Sequence, residues 1–403
     1  MIQFLGLSFV PVPPTGAGPG SGAVPGFKAV AVATDRQAEV VAACEAAVGG
    51  VVAGDGGQCE VRTGEWVRAG GLALKDAFLQ VPARTRRVWG FSICAPDGWI
   101  ALDADLDPLS PLRIVPDPQE DFRRWLVENP RQFPHIFCIL TPKDYFRHAV
   151  SGALAIDATQ AEALGPVERG AANSSAGNWT KGGFESLGFS PRWFPPIFDS
   201  SVATGRISEA GIKKTGLPGG LWVVAGAETS APALISAGDL RKGGLLLTLA
   251  SPTRLDLRFL ASGNAAPPSD PRWSDRGAPL AGFRMRSRAV SLPDEPAGAL
   301  DAARAAVREA LGALPEPPMG GAARAEEVIA DHRLPEEPSW VETLLSDSGS
   351  PLSWPGLRSP YAGTADPGAA FLAGLAQGTY KNLDSLYRKL RDARQARDDG
   401  EAA

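Results

Sequence analysis

The alternation of short apolar runs with helical patterns constrains this chain most. Runs at 5–9, 27–33, 88–92, 99–102, 221–225 and 245–249 have strand length and are bounded by turn residues. Between and after them come segments of helical period. Residues 120–128 place Phe122, Trp125 and Leu126 on one face, and 142–147 open with Pro142 and carry Asp144 in the first turn. Further helices are predicted up to Leu187, at 229–237, 295–314, 338–345, 369–376 and 383–396. In 295–314, Ala299, Ala302, Ala303, Ala306, Val307, Ala310 and Leu311 make an apolar stripe. Strands interleaved with helices predict an α/β fold. Two loose hairpins are expected, 5–9 with 27–33 across a Pro/Gly-rich link, and 88–92 with 99–102 around Pro96-Asp97-Gly98.

With 403 residues, 44% hydrophobic and 21% charged, the chain has the composition of a globular protein of two or three domains. A net charge of -5 without a Lys/Arg-rich run argues against nucleic acid as a partner. No stretch of eighteen apolar residues occurs, and the start lacks a basic leader, so no membrane span and a cytoplasmic location are expected. Cys44, Cys59, Cys94 and Cys138 lack ligand spacing and are expected to pack as small hydrophobes. His135, His148 and His332 are too scattered to predict a metal site or a triad.

One stretch is more specific. Leu140-Thr141-Pro142-Lys143-Asp144-Tyr145-Phe146-Arg147-His148 is followed by Ser151-Gly152 and Ile156-Asp157. Then come Leu187-Gly188-Phe189, Phe194-Pro195-Pro196-Ile197, Gly205-Arg206-Ile207, Thr215-Gly216-Leu217-Pro218-Gly219 and Val223-Val224-Ala225-Gly226. On these residues the chain resembles the FGGY carbohydrate kinases, the group of xylulokinase, gluconokinase and glycerol kinase. In the second half, 297–314 is similar to that family's interdomain helix. Residues 340–345 are similar to its tryptophan helix, and Pro367 to Gly374 to its late glycine-alanine helix. The matches keep their order from residue 5 to about 390. The resemblance implies a shortened FGGY architecture: two actin-like (ribonuclease H-like) α/β domains with an interdomain cleft, at 1–242 and 243–403.

Phosphoryl transfer needs a base for the acceptor hydroxyl, a Mg²⁺ site and backbone donors around the phosphates. The resemblance places each, and each is altered. The family's first phosphate loop, an aspartate with Gly and Thr, corresponds to Ser8, Phe9, Val10 and Pro11, where the acid is gone and proline offers no N–H. The catalytic aspartate corresponds to Thr229, whose hydroxyl is no base near neutrality, with Glu228 one place away. The second phosphate loop corresponds to Ala250-Ser251-Pro252-Thr253, and Ser251 and Thr253 are its candidate nucleotide contacts. The adenosine loop aligns either to His332-Arg333-Leu334-Pro335 or to Gly320 and Gly321. Asp97 and Asp157 are the candidate sugar-binding residues, although Asp97 before Gly98 is also a common turn former.

These departures predict a pseudokinase with a sugar- or polyol-binding or regulatory role, and no cofactor. The alternative is a divergent kinase using ATP and Mg²⁺ with Glu228 as base. A third reading is an actin-like assembly protein, a homodimer or a partner-binding protein, using the Pro-rich segment 11–20.

Overall fold

The structure is a computed structural model. It describes residues 2–12, 26–54, 58–84, 86–168, 177–237, 245–251, 254–262, 274–276, 283–293, 295–312, 328–332, 340–345, 356–358 and 366–401. The chain packs as two compact units: Met1–Pro232 with Pro367–Ala403, and Ala233–Asp366.

The first unit is built on a seven-stranded sheet. Ile2–Val12 and Gly26–Asp35 form the expected first hairpin, with Leu5 opposite Ala33 and Phe9 opposite Ala29. Val40–Val48 adds an antiparallel edge. On the other side, Arg87–Ala95 runs parallel to the first strand, and Trp222–Val224 runs parallel to Arg87–Ala95. Ala203–Arg206 closes that edge.

The second expected hairpin does not form. Arg87–Ala95 is a central strand, paired on one side with Ile2–Val12 and on the other with Trp222–Val224, so it has no free edge for its sequence neighbour. Gly98–Leu102 instead pairs with Leu112–Ile114 and Cys138–Leu140 in a five-stranded sheet.

The helix Thr63–Gln80 packs against the strands Gly26–Asp35 and Val40–Val48. It buries Trp66, Ala69, Ala73, Leu74 and Ala77 at helical spacing. The Phe9 ring stacks on Trp66, centroids 3.8 Å apart, and Trp66 Nε1 donates to the Pro142 carbonyl at 3.0 Å. Mid-helix Gly70 and Gly71 are demanded by close approach. A Cβ on Gly70 would lie 2.4 Å from the Phe146 ring, and one on Gly71 would lie 2.1 Å from the Lys214 carbonyl.

The second unit repeats the plan in its own sheet. Leu245–Ser251, Arg254–Ser262 and Phe283–Ser291 are antiparallel neighbours, and Val328–His332 and Gly356–Arg358 continue parallel from the first of them. The helix Pro296–Gly312 buries Ala299, Ala303, Ala306, Val307 and Ala310 in one core with Leu245, Leu247, Leu257 and Phe259. Three antiparallel strands followed by two parallel ones, in both units, is the paired α/β organisation that the resemblance implies.

A single cut at 242 does not describe this packing, because the chain's last helices belong with its beginning. The helix Gly368–Ala376 lies on Ile2–Val12 and Arg87–Ala95, sharing a core of Phe4, Val224, Ala370 and Ala373. Its small residues allow contact that larger ones would block: a Cβ on Gly6 would sit 2.2 Å from the Ala370 nitrogen. Tyr380, fully buried, donates its hydroxyl to the Asp35 carbonyl at 3.0 Å.

Candidate functional site

In an open α/β sheet, ligands bind beyond the carboxyl ends of the parallel strands. In the first unit that end is marked by a row across three strands, in which Ser8 and Ala227 both align with Cys94. Gly226 makes the row possible. Its φ is +76°, and a Cβ there would lie 1.8 Å from the Ile93 carbonyl. Only glycine lets the backbone approach Arg87–Ala95 this closely and re-pair one step further as Ala227–Glu228.

Behind the row lies a buried ionic network. The helix Pro142–Ser151 begins on Thr141, which caps it, and carries Lys143, Asp144 and Arg147, all fully buried. Lys143 Nζ is 2.5 Å from Asp144 Oδ1 and 2.9 Å from Asp157 Oδ1. Arg147 reaches Asp144 at 2.9 Å and donates to the carbonyls of Ala225 and Ala155. Two cations thus balance two carboxylates where unpaired charge is prohibitively costly. The Arg147 bond to Ala225 also fixes the residue before Gly226, so the network holds the strand ends in place.

Asp157 is the N-cap of Ala158–Leu164. Its Oδ2 accepts from Thr159 N at 2.8 Å and from Ser200 Oγ at 3.0 Å. With no exposure and Lys143 on its other oxygen, this carboxylate faces protein groups. Thr159 Oγ1 in turn accepts from the Glu228 N–H at 2.9 Å. Gln160 donates to the carbonyls of Ala95 and Pro96 at 3.1 Å and to Asp97 Oδ1 at 3.4 Å. The structure therefore brings Asp97, Asp157, Glu228 and Thr229 into one connected region.

Glu228 is half-buried and accepts from the Ser230 hydroxyl. Thr229 is 8% exposed, and its Oγ1 has no hydrogen-bond partner among the described residues. Cys138 packs beneath the network. Burial, with the Asp144 charge second, pushes its thiol up to about 12, so it is an inert hydrophobe here.

The nucleotide-side candidates fare differently. Ser251 ends the strand Leu245–Ser251, paired with Arg254, and His332 ends Val328–His332, paired with Leu249. Thr253, Gly320, Gly321, Arg333 and Leu334 lie outside the described residues.

Sequence reasoning named Lys143 and Arg147 only as parts of a resemblance and did not assign Thr159, Gln160 or Ser200 a role. The available signal was charge among apolar neighbours: Lys143, Asp144 and Arg147 share a helix with Phe146 and Val150, both fully buried.

Comparison with known proteins follows this geometry. Residues 123–236 match the family model described as the FGGY family of carbohydrate kinases, N-terminal domain. A search of curated protein sequences finds no match. Among solved structures, the chain is similar to a xylulose kinase from Brucella ovis, at 15% identity and a TM-score of 0.72, covering 98% of this chain and 97% of that one. It is similar to a gluconate kinase from Lactobacillus acidophilus, at 12% identity and TM-score 0.70, covering 99% of each. A Plasmodium falciparum glycerol kinase solved with ADP follows, at 11% identity and TM-score 0.64, covering 97% of this chain and 92% of that one. The chain resembles the FGGY carbohydrate kinases in the sequence of 123–236 and in fold over nearly its whole length.

Proposed function

We propose that this chain, built on the FGGY kinase fold, is a pseudokinase: it binds a sugar or polyol, or regulates sugar or cell-envelope metabolism, without transferring phosphate. The observation that carries the reading is Thr229. It stands where the resemblance puts the catalytic aspartate, and it is nearly buried with its hydroxyl unpartnered. A threonine hydroxyl cannot accept the proton of a sugar hydroxyl near neutral pH.

The donor set around it supports the same reading. Mg²⁺ asks for hard oxygen ligands, commonly carboxylates. The side chains in the row are a hydroxyl, a thiol and a methyl, from Ser8, Cys94 and Ala227. Where the family's first phosphate loop would leave space, Phe9 fills the core against Trp66 and Phe146, and Pro11 continues the strand opposite Phe27. These residues do not fit Mg²⁺-ATP. The polar groups at the strand ends, Asp97, Gln160 and Glu228, suit hydroxyl recognition better than phosphate recognition.

Calorimetric titration with ATP and Mg²⁺ tests this reading. The expected result is no saturable heat at nucleotide concentrations up to about 1 mM. Micromolar binding would overturn it.

One observation favours a second reading, a divergent sugar kinase. Glu228 is held at its N–H by Thr159 and at its carboxylate by Ser230, as a positioned base would be. Against it, a longer side chain from a neighbouring position must place its oxygens where an aspartate's would lie, and misplacements of about 1 Å cost roughly 10²-fold.

A further inference from the structure

The other end of the same sheet carries an irregularity in its ladder. Opposite Arg87–Ala95, Gln3 pairs with Val88 and Phe4 with Gly90, so Trp89 is skipped. On its other side the ladder starts only at Gly90, which pairs with Trp222. Trp89 is therefore a bulge residue, and bulges re-aim side chains and recur beside functional sites. Trp89 is 46% exposed, whereas the other described tryptophans are buried or half-buried. Such a side chain is ordinarily buried, as Trp66 and Trp99 are here.

Trp89 does not stand alone. It lines an open surface pocket of about 370 Å³ with Trp222, Gly219, Gly220 and Gln377. The Arg206 guanidinium lies over the Trp222 ring, 3.6 Å from its centroid, and is fixed by donating to the Gly220 carbonyl at 3.1 Å. The two indole N–H groups and the Gln377 amide have no hydrogen-bond partner among the described residues. The exposed Trp89 ring thus sits near a Trp222 ring that a held planar cation covers on one side, with amide and indole donors alongside. This combination suits a sugar ring, whose C–H face lies on an aromatic plane while its hydroxyls take up the donors. The pocket is at the small end of ligand sites, which suits one or two rings better than an extended peptide.

We propose that this pocket is a saccharide-binding site separate from the one at the strand ends. Six residues of extended strand, about 20 Å, separate Trp89 from Ala95. The site therefore serves to tether the protein to an oligosaccharide or to sense one, not to position a reacting hydroxyl.

The test is titration of the full chain with four neutral linear tetraoses, of glucose, xylose, mannose and N-acetylglucosamine, followed by tryptophan fluorescence and calorimetry. At least one is expected to saturate below about 10 mM. Trp89→Ala is expected to weaken it roughly tenfold, the size of one lost aromatic stack, with Trp89→Phe retaining most of the affinity. Glu185→Ala, at an exposed helix position outside both sites, is expected to leave it unchanged. In the wild-type chain, hydrogen exchange at 88–90 and 219–222 is expected to slow with the same ligand, a readout independent of any variant. The proposal is overturned if no tetraose saturates, if Trp89→Ala binds as wild type does, if exchange slows elsewhere, or if a proline-rich decapeptide binds while no sugar does.

Discussion

At the scale of single residues, the first unit rests on charges that have no access to water. Lys143 holds Asp144 and Asp157 together, and Arg147 ties Asp144 to the backbone before Gly226. Removing one member leaves the others buried and unpaired, so Lys143→Met is expected to cost about 3–5 kcal/mol in denaturant unfolding. An exposed pair such as Arg123 with Glu120 is expected to contribute little, because water screens it. His148, on the same helix, gives a pH signature. Burial chiefly, with the nearby charges of Lys214 and Arg147, lowers its pKa despite the backbone bond with Gly152. The unfolded chain then binds the extra proton first, so this contribution is present above about pH 6.5 and is lost as pH falls toward the folded-state pKa. His148→Gln is expected to flatten the fall in stability below pH 6.5, measured by thermal melts across pH. In sequence Lys143, Asp144 and Arg147 stand together and Asp157 lies ten residues beyond Arg147, with nothing local to show that they meet. Their partners Thr159, Gln160 and Ser200 were not visible either, because small polar residues carry no periodic signal and acquire a role only when distant segments meet.

At the scale of elements, the strongly patterned ones were legible. Pro142 opening a helix on Thr141, and the alanine stripe of Pro296–Gly312, are local signals that the structure keeps. The helix Thr63–Gln80 was not legible. It starts at Arg62 without a side-chain cap and carries Gly70-Gly71 in its middle, which read as breakers. Those glycines are tertiary in origin, so their cost should depend on surroundings and not on helix propensity. Gly71→Ala is expected to destabilise by about 1–3 kcal/mol through contact with the Lys214 carbonyl. Gly64→Ala, with nothing within 4 Å of its Cβ, is expected to stabilise by about 0.4–1 kcal/mol. Chemical denaturation of the two variants measures the contrast. The false hairpin around Asp97 has a similar origin: Pro96-Asp97-Gly98 does turn the chain, but the turn leads out of one sheet and into another.

At the scale of the molecule, the first unit is closed by the chain's last helices. Gly368–Ala376 covers the face of Ile2–Val12 and Arg87–Ala95, and Tyr380 bonds Asp35 across the unit. No local pattern could show this, since an apolar helix states that it is buried but not against what. A chain ending at 366 would expose Phe4 and Val224, which are fully buried in the intact protein. It is expected to lose cooperative unfolding of the first unit, measured by tryptophan fluorescence. The fold and its resemblance were thus readable from ordered motifs, whereas the proposed loss of chemistry rests on a few positions at strand ends. The direct test is transfer of labelled phosphate from ATP to D-xylulose, gluconate and glycerol by the purified chain with Mg²⁺. The account predicts no sugar-dependent product above the protein-free control. Sugar-dependent product that disappears in Glu228→Gln would contradict it and establish the divergent kinase instead.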